Sequence, residues 1–233
     1  SRPEGLGSDD IYVSIRNSKY SDFGPGPLVN ELITANADGA PELSGEGLTI
    51  YWSSQRDGGQ GDGDIWFATR ASLSAPFGPP TNLTSVNSPA DETGPEISGD
   101  GLTLYFGSSR PGGTGAINVW RASRQDLGSG FGVPVLASSL NGIADIQGSP
   151  SISSDGLTIV INASVDDGDS DLYIATRPDT GASFSMPQLM SALNSEFADY
   201  NAEIVGNLEE LYFTSNRPGG AGNDDIYLTR PCP

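Results

Sequence analysis

Histidine is absent from this 233-residue chain, lysine occurs once (Lys19), and the single cysteine, Cys232, stands next to the last residue. Without imidazole, zinc centres built on histidine and the nucleophile–imidazole triads are excluded. One thiol can close no intrachain disulfide and no cysteine metal cluster. Cations are scarce overall: 11 Lys and Arg stand against 30 Asp and Glu, a net charge of −19, which lacks the cationic footprint of a nucleic-acid binder. No run approaches the ~20 apolar residues of a spanning helix, so no membrane insertion is expected. No basic-then-apolar leader opens the chain. Strong acidity with little cysteine and lysine suits an extracytoplasmic or saline setting.

What the sequence does contain is carboxylate, hydroxyl and turn chemistry. The 31 glycines and 17 prolines, with 36% apolar residues, point to many short strands joined by tight turns, hence an all-β protein. Self-similarity at a fixed period is plain. Tyr12, Trp66, Trp120, Tyr173 and Tyr227 close five related segments, spaced 54, 54, 53 and 54 residues apart. The third-strand copies fall near 9–16, 64–70, 117–124, 171–177 and 225–230. Each full unit reads as four strands. In the second unit these are PELS, LTIYWSS after the turn at Gly45–Gly47, DIWFATR, and an outer strand around TNLTSVN. Leu102–Phe106 has the β-branched and aromatic enrichment of a buried strand, and Asp100-Gly101 and Asp155-Gly156 supply tight hairpin turns before the second strands. The expected architecture is a single β-propeller domain over 1–233.

The segments DGLTLYFGSSRPGG and GGAGNDDIY resemble the TolB-type β-propeller repeat family of bacterial envelope proteins, and the likeness runs across essentially the whole chain. The resemblance implies the propeller fold and an extracytoplasmic role (periplasmic, cell-surface or secreted) in binding or scaffolding. It implies no shared active site, because function lives in sites grafted on folds. Five third-type strands stand against four first- and second-type strands. The favoured count is therefore five blades with an incomplete first one, with four blades as the alternative.

Nine of the eleven cations are repeat positions. Arg2, Arg56, Arg110 and Arg217 precede their aromatic by ten residues, and Arg16, Arg70, Arg124, Arg177 and Arg230 follow it by three or four. Recurrence in every unit indicates structural work, expected as bonds to Asp10, Asp64, Asp171 and Asp225 or to loop carbonyls. The RPGG loops lack the lysine and strand-loop-helix context of a phosphate cradle and read as hairpin connections. The spacer aromatics Tyr20, Phe23, Phe77, Phe131 and Phe184 read mainly as packing between blades.

Carboxylates carry the remaining chemistry. Glu42, Glu96 and Glu203 occupy one repeat position in the innermost strand, where the third full unit has Ser151. Pointing into the channel, they would suit calcium or magnesium, hard ions that take oxygen ligands; pointing into water at the mouth, they need no ion. A second cation candidate is the loop with Asp166, Asp167, Asp169 and Asp171, where the repeat's arginine is missing; Asp57, Asp62 and Asp64 form a weaker version. For catalysis only paired carboxylates are left. The non-repeating candidates there are Asp38, Glu92 and Asp199 ahead of the inner strand, and the insertion at Asp145-Ile146-Gln147. The leading expectation is a binding or scaffold propeller for a glycan or protein partner, with calcium as its sole expected cofactor and no organic one. The competing expectation is a carboxylate-dependent hydrolase or lyase acting on sugars or lactones.

Overall fold

The computed structural model of the chain describes residues 5–164 and 169–230. The repeat folds as antiparallel sheets in which consecutive strands pair in order. Blade I contains β1 (Asp38–Leu43), β2 (Thr49–Ser54), β3 (Asp64–Thr69) and β4 (Thr81–Asn82). Blade II contains β5 (Glu92–Ile97), β6 (Thr103–Ser108), β7 (Asn118–Ser123) and β8 (Val135–Leu136). Blade III contains β9 (Ile146–Ile152), β10 (Thr158–Ser164), β11 (Asp171–Thr176) and β12 (Gln188–Leu189). Blade IV contains β13 (Asp199–Val205), β14 (Glu210–Ser215) and β15 (Asp225–Thr229). A single 3₁₀ turn, Ser138–Leu140, interrupts the strands of the described residues.

The apolar alternation of each middle strand feeds cores that lie between blades. Tyr51 and Ile65 of blade I share a core with Ile97, Leu104 and Phe106 of blade II, and Val160 and Leu172 of blade III pack with Ile204 and Phe213 of blade IV. Each blade therefore stabilises its neighbour by burying apolar area that neither could bury alone. Gly47, Gly101 and Gly156 turn the first hairpin of blades I to III with φ of 68°, 71° and 72°, which a side chain would resist. Their carbonyls accept hydrogen bonds from Nε of Arg70, Arg124 and Arg177 at 2.7, 2.8 and 2.6 Å.

The blade count corrects the favoured expectation. Four sheets form, as in the four-blade alternative, and the first of the five repeated segments builds no sheet. It is held by the isolated bridge Tyr12–Leu28. Two extended segments of one repeat, with no first and second strand over them, do not make a blade. This N-terminal segment instead packs on both sides. Ile11, Leu32 and Ile33 join Ile50, Trp52 and Trp66 of blade I. On the other side Arg16 pairs with Glu210 of blade IV at 2.6 Å, and Phe23 meets the Tyr212 ring edge-on at 6.3 Å. Arg230, just past β15, binds the same carboxylate at 2.7 Å.

Candidate functional site

The innermost strands carry one irregularity each, at the same place. Register shifts fall between Gly39 and Glu42, Thr93 and Glu96, and Tyr200 and Glu203, and a fourth interrupts the pairing of β9 with β10. Within each shift one residue takes a left-handed backbone: Ala40 (φ 49°), Gly94 (55°), Ser149 (43°) and Asn201 (49°). In three of the four, proline follows as Pro41, Pro95 or Pro150, although a residue before proline normally favours extended backbone. Such bulges bend a strand and re-aim the next side chain. Here the next side chains are Glu42, Glu96, Ser151 and Glu203, and the bulge turns them toward the axis.

The three glutamates converge, with one carboxylate oxygen from each lying within 4.8 Å of the others. Glu96 and Ser151 are buried, Glu42 is half-buried and Glu203 is open to the channel while crowded by protein at its flanks. Two contacts between blades hold the ring. The Ile152 N–H of blade III donates to Glu96 Oε1 at 2.6 Å, and the Ile204 N–H of blade IV donates to Ser151 Oγ at 2.8 Å. Ser151 Oγ–H in turn donates to Glu203 at 3.3 Å. Burial raises the pKa of all three carboxyls, and the charge of the other glutamates raises Glu42 and Glu96 further, well above the ordinary range. Glu203 is pushed up to about 7 by burial, against the pull of the Ser151 hydroxyl. Three carboxylates this close cannot all stay ionised without a cation between them.

The ring faces a cavity of about 730 Å³ that is also walled by Ile11, Val13, Leu43 and Phe77. A second cavity, of about 830 Å³, opens on the other side of Ala40, Pro41 and Asn201, with Asp9, Asp10 and Asp91 in its wall.

Other expected residues have different work. Asp38, Glu92 and Asp199, set aside as catalytic candidates, are fully buried and tied down. Asp38 takes Arg56 at 2.6 Å and the Ser54 hydroxyl at 2.6 Å; Glu92 takes Arg110 at 2.8 Å and the Ser108 hydroxyl at 2.8 Å; Asp199 takes Arg217. Each of these arginines also reaches the carbonyl of Leu32, Val86 or Leu193, and lies between two rings, as Arg110 does between Phe106 and Trp120 at 5.2 Å from each. Burial alone would raise Asp38 and Asp199, but these hydrogen bonds outweigh it and hold both below the usual carboxylate range. The expected partners Asp10, Asp64 and Asp225 instead accept backbone N–H groups of their own loops, with Leu6, Gln60 and Ala221 among the donors. Blade III has lost the arginine, and its counterpart of the carboxylate is Gln147, which accepts the Gly142 N–H at 2.7 Å and donates to the Ala144 carbonyl. Removing the cation and neutralising its partner have gone together.

Of the second cation candidate, Asp166 and Asp167 lie outside the described residues, as do Arg2 and Cys232. Asp169 is exposed, and Asp171, half-buried, is raised by burial and by the charges of Asp199 and Asp169. Among the described residues these two gather no third ligand. The bulges and the Glu210 clasp are what sequence reasoning missed. Proline inside an inner strand was the available signal, since it is confined to edges and bulges.

No protein-family model and no curated protein sequence matches the chain. Solved structures do. TolB from Acinetobacter baumannii aligns over 90% of this chain and 43% of its own length, at 15% identity and a TM-score of 0.53. An α-L-arabinofuranosidase from Lactobacillus brevis aligns over 84% of this chain and 73% of its own, at 15% identity and 0.57. The GH43 endo-arabinanase of Bacillus licheniformis aligns over 83% and 73%, at 15% and 0.52. The chain thus spans less than half of that TolB, and 61% of a putative TolB from Agrobacterium tumefaciens. At these identities the likeness is one of fold.

Proposed function

We propose that this protein is a non-catalytic binding propeller working outside the cytoplasm, which holds a glycan or protein partner at the channel mouth through a calcium ion shared by Glu42, Glu96 and Glu203. The observation that carries the reading is the convergence of the three carboxylates within 4.8 Å. Oxygens ligating calcium at ~2.3–2.6 Å lie at most about 5 Å apart across the ion, so this spacing suits one hard cation. Calcium takes ~6–8 oxygens. Three carboxylates and the Ser151 hydroxyl leave positions for ligand oxygens, such as sugar hydroxyls or a partner's carbonyls, while the cation offsets the repulsion within the ring. The acidic composition and the resemblance of the repeat to the TolB type support an extracytoplasmic address.

A hydrolase is the second reading. Glu203, with its pKa near 7, has the protonation of a general acid, and propellers of similar shape include an arabinofuranosidase, an arabinanase and a sialidase. Carboxyl pairs that flank a glycosidic bond stand ~5–5.5 Å or ~6.5–9.5 Å apart. Here three carboxyls gather round one point and no pair stands apart, which favours the shared ion.

Calorimetric titration of chelator-stripped protein with calcium tests the reading. Saturable binding that raises Tm, and that Glu96→Gln abolishes, is the expected result. No heat and no stabilisation would remove the cation from the proposal.

A further inference from the structure

One departure from the repeat changes the chemistry of a blade junction. Where the second strand of each blade pairs with the third, Tyr51 faces Phe67, Tyr105 faces Arg121, Val160 faces Ile174 and Tyr212 faces Leu228. Residues directly opposed in an antiparallel pair lie on one face of the sheet and touch. Three of these third-strand positions are apolar, and blade II alone has a cation there. Arg121 is one of the two cations, with Lys19, that fall outside the repeated arginine positions.

At the junction of blades I and II, Tyr51 lies against Phe67 at 6.2 Å and Phe131 at 6.4 Å. At the junction of blades II and III, Tyr105 keeps the equivalent of the second ring, Phe184 at 6.3 Å, but has Arg121 in place of the first. The space is not refilled. A cavity of about 210 Å³ lies there, walled by Tyr105, Arg121 and the Ser138–Leu140 turn on one side and by Arg177 and the loop 180–184 on the other.

Its wall suits an anion. The Arg121 guanidinium makes no hydrogen bond or ion pair to a described residue, whereas every other described arginine makes at least one. Arg177 gives its Nε to the Gly156 carbonyl and lies over Phe184 at 4.4 Å, which leaves its two terminal nitrogens free of any acceptor among the described residues. Tyr105 is 2% exposed, and its hydroxyl bonds no described residue, although a buried phenol usually finds a partner. The hydroxyls of Ser138, Ser139, Thr180 and Ser183 are equally uncommitted. No Asp or Glu stands in the wall; Asp100, near enough to feel the charge of Arg177, lies outside it. Two guanidiniums gathered in one small cavity repel each other unless an anion lies between them.

We propose that this junction is a second binding site, separate from the glutamate ring, for an anionic sugar unit. Its carboxylate would sit between Arg121 and Arg177, since a planar guanidinium offers a carboxylate two parallel N–H donors. Its hydroxyls would meet the serine and threonine hydroxyls, each of which both donates and accepts. A bare sulfate would satisfy the arginines and leave those hydroxyls idle. The volume is below the ~300–1,000 Å³ of a pocket for a drug-sized ligand, so a single monosaccharide is the size that fits.

The test titrates the intact, isotope-labelled protein with glucuronate, following amide shifts by NMR, with glucose and sulfate as parallel probes. Low ionic strength keeps the charge unscreened, and calcium-free buffer keeps the outcome independent of the glutamate ring. Saturable shifts confined to amides around Arg121, Ser138–Leu140 and 180–184 are expected, with glucuronate binding at least tenfold tighter than glucose or sulfate. Arg121→Leu gives blade II the residue that blade IV has at this position, and Arg121 is exposed, so the fold survives and Tm checks it. This variant should bind glucuronate at least tenfold more weakly. Shifts that do not saturate, or an affinity that Arg121→Leu leaves unchanged, overturn the proposal. Glucose or sulfate binding as tightly as glucuronate also overturns it, the first removing the carboxylate from recognition and the second assigning the cavity to a bare oxyanion.

Discussion

Arg110 sets the pattern for the repeated arginines. Its guanidinium joins the Glu92 carboxylate, the Ser108 hydroxyl and the Val86 carbonyl while lying between two aromatic rings. Removing one partner of such a cluster strands a buried charge, a change that costs about 3–5 kcal/mol. Arg110→Met is expected to destabilise the fold by about 3 kcal/mol in urea unfolding. Adding Glu92→Gln should restore more than half of the loss, because blade III already runs on an amide without an arginine. An additive double variant would contradict this pairing. The recurrence of these arginines was legible as structural, since a residue present in almost every unit serves the unit. Their partners were not. Asp38, Glu92 and Asp199 stand 18 residues upstream of the arginines, and only folding brings the two together, so the nearer aspartates of the same loop looked equally suitable.

At the level of the strand, the bulge decides where the channel side chains point. Alternation placed the glutamates on the innermost strand, yet strict alternation gives no reason for four successive blades to break register at one spot. The break comes from a left-handed residue, which costs an L-amino acid roughly 1–2 kcal/mol. Blade II uses glycine there, and a Cβ on Gly94 would come within 3.2 Å of Ser149 Cα. Ala40→Gly should therefore stabilise blade I by up to ~1 kcal/mol, and Gly94→Ala should destabilise blade II by at least as much. Denaturant midpoints check both. The middle strands were legible from composition and turn residues. The outer strands were expected around TNLTSVN, and β4 is shorter, at Thr81–Asn82. The first repeated segment, around Tyr12, carried every local signal of a third strand, and no local signal reports whether two neighbouring strands will cover it.

For the molecule as a whole, the carboxylates divide into two groups with opposite effects on pH stability. Glu203 is raised from 4.5 to about 7, so the folded state binds its proton more tightly than the unfolded state does. That contribution is complete below about 4.5 and is lost as pH climbs through about 7; Glu42 and Glu96 act in the same direction. Glu210 is lowered from 4.5 to about 2 by its hydrogen bonds to Arg16 and Arg230, so its contribution is present above about 4.5 and is lost as pH falls through about 2. Metal-free protein should accordingly be most stable near the shared edge of these windows, at about pH 5. Its Tm should fall between pH 5 and pH 8, and Glu203→Gln should flatten that decline. A Tm that instead rises toward pH 8 in metal-free buffer would show that the ring is not strained by its own charge.

Glu210 also receives both Arg16 and Arg230, which stand at opposite extremes of the described chain. A pull applied between those two residues meets this one side chain before it loads any sheet. The molecule is mechanically a closed loop with an ionic latch, and the burial of Glu210 shields that latch from salt better than a surface pair. Glu210→Gln should let the latch open under a smaller force than any blade needs to unravel, so that under tension the ring would part at Glu210 while blades I to IV stay folded.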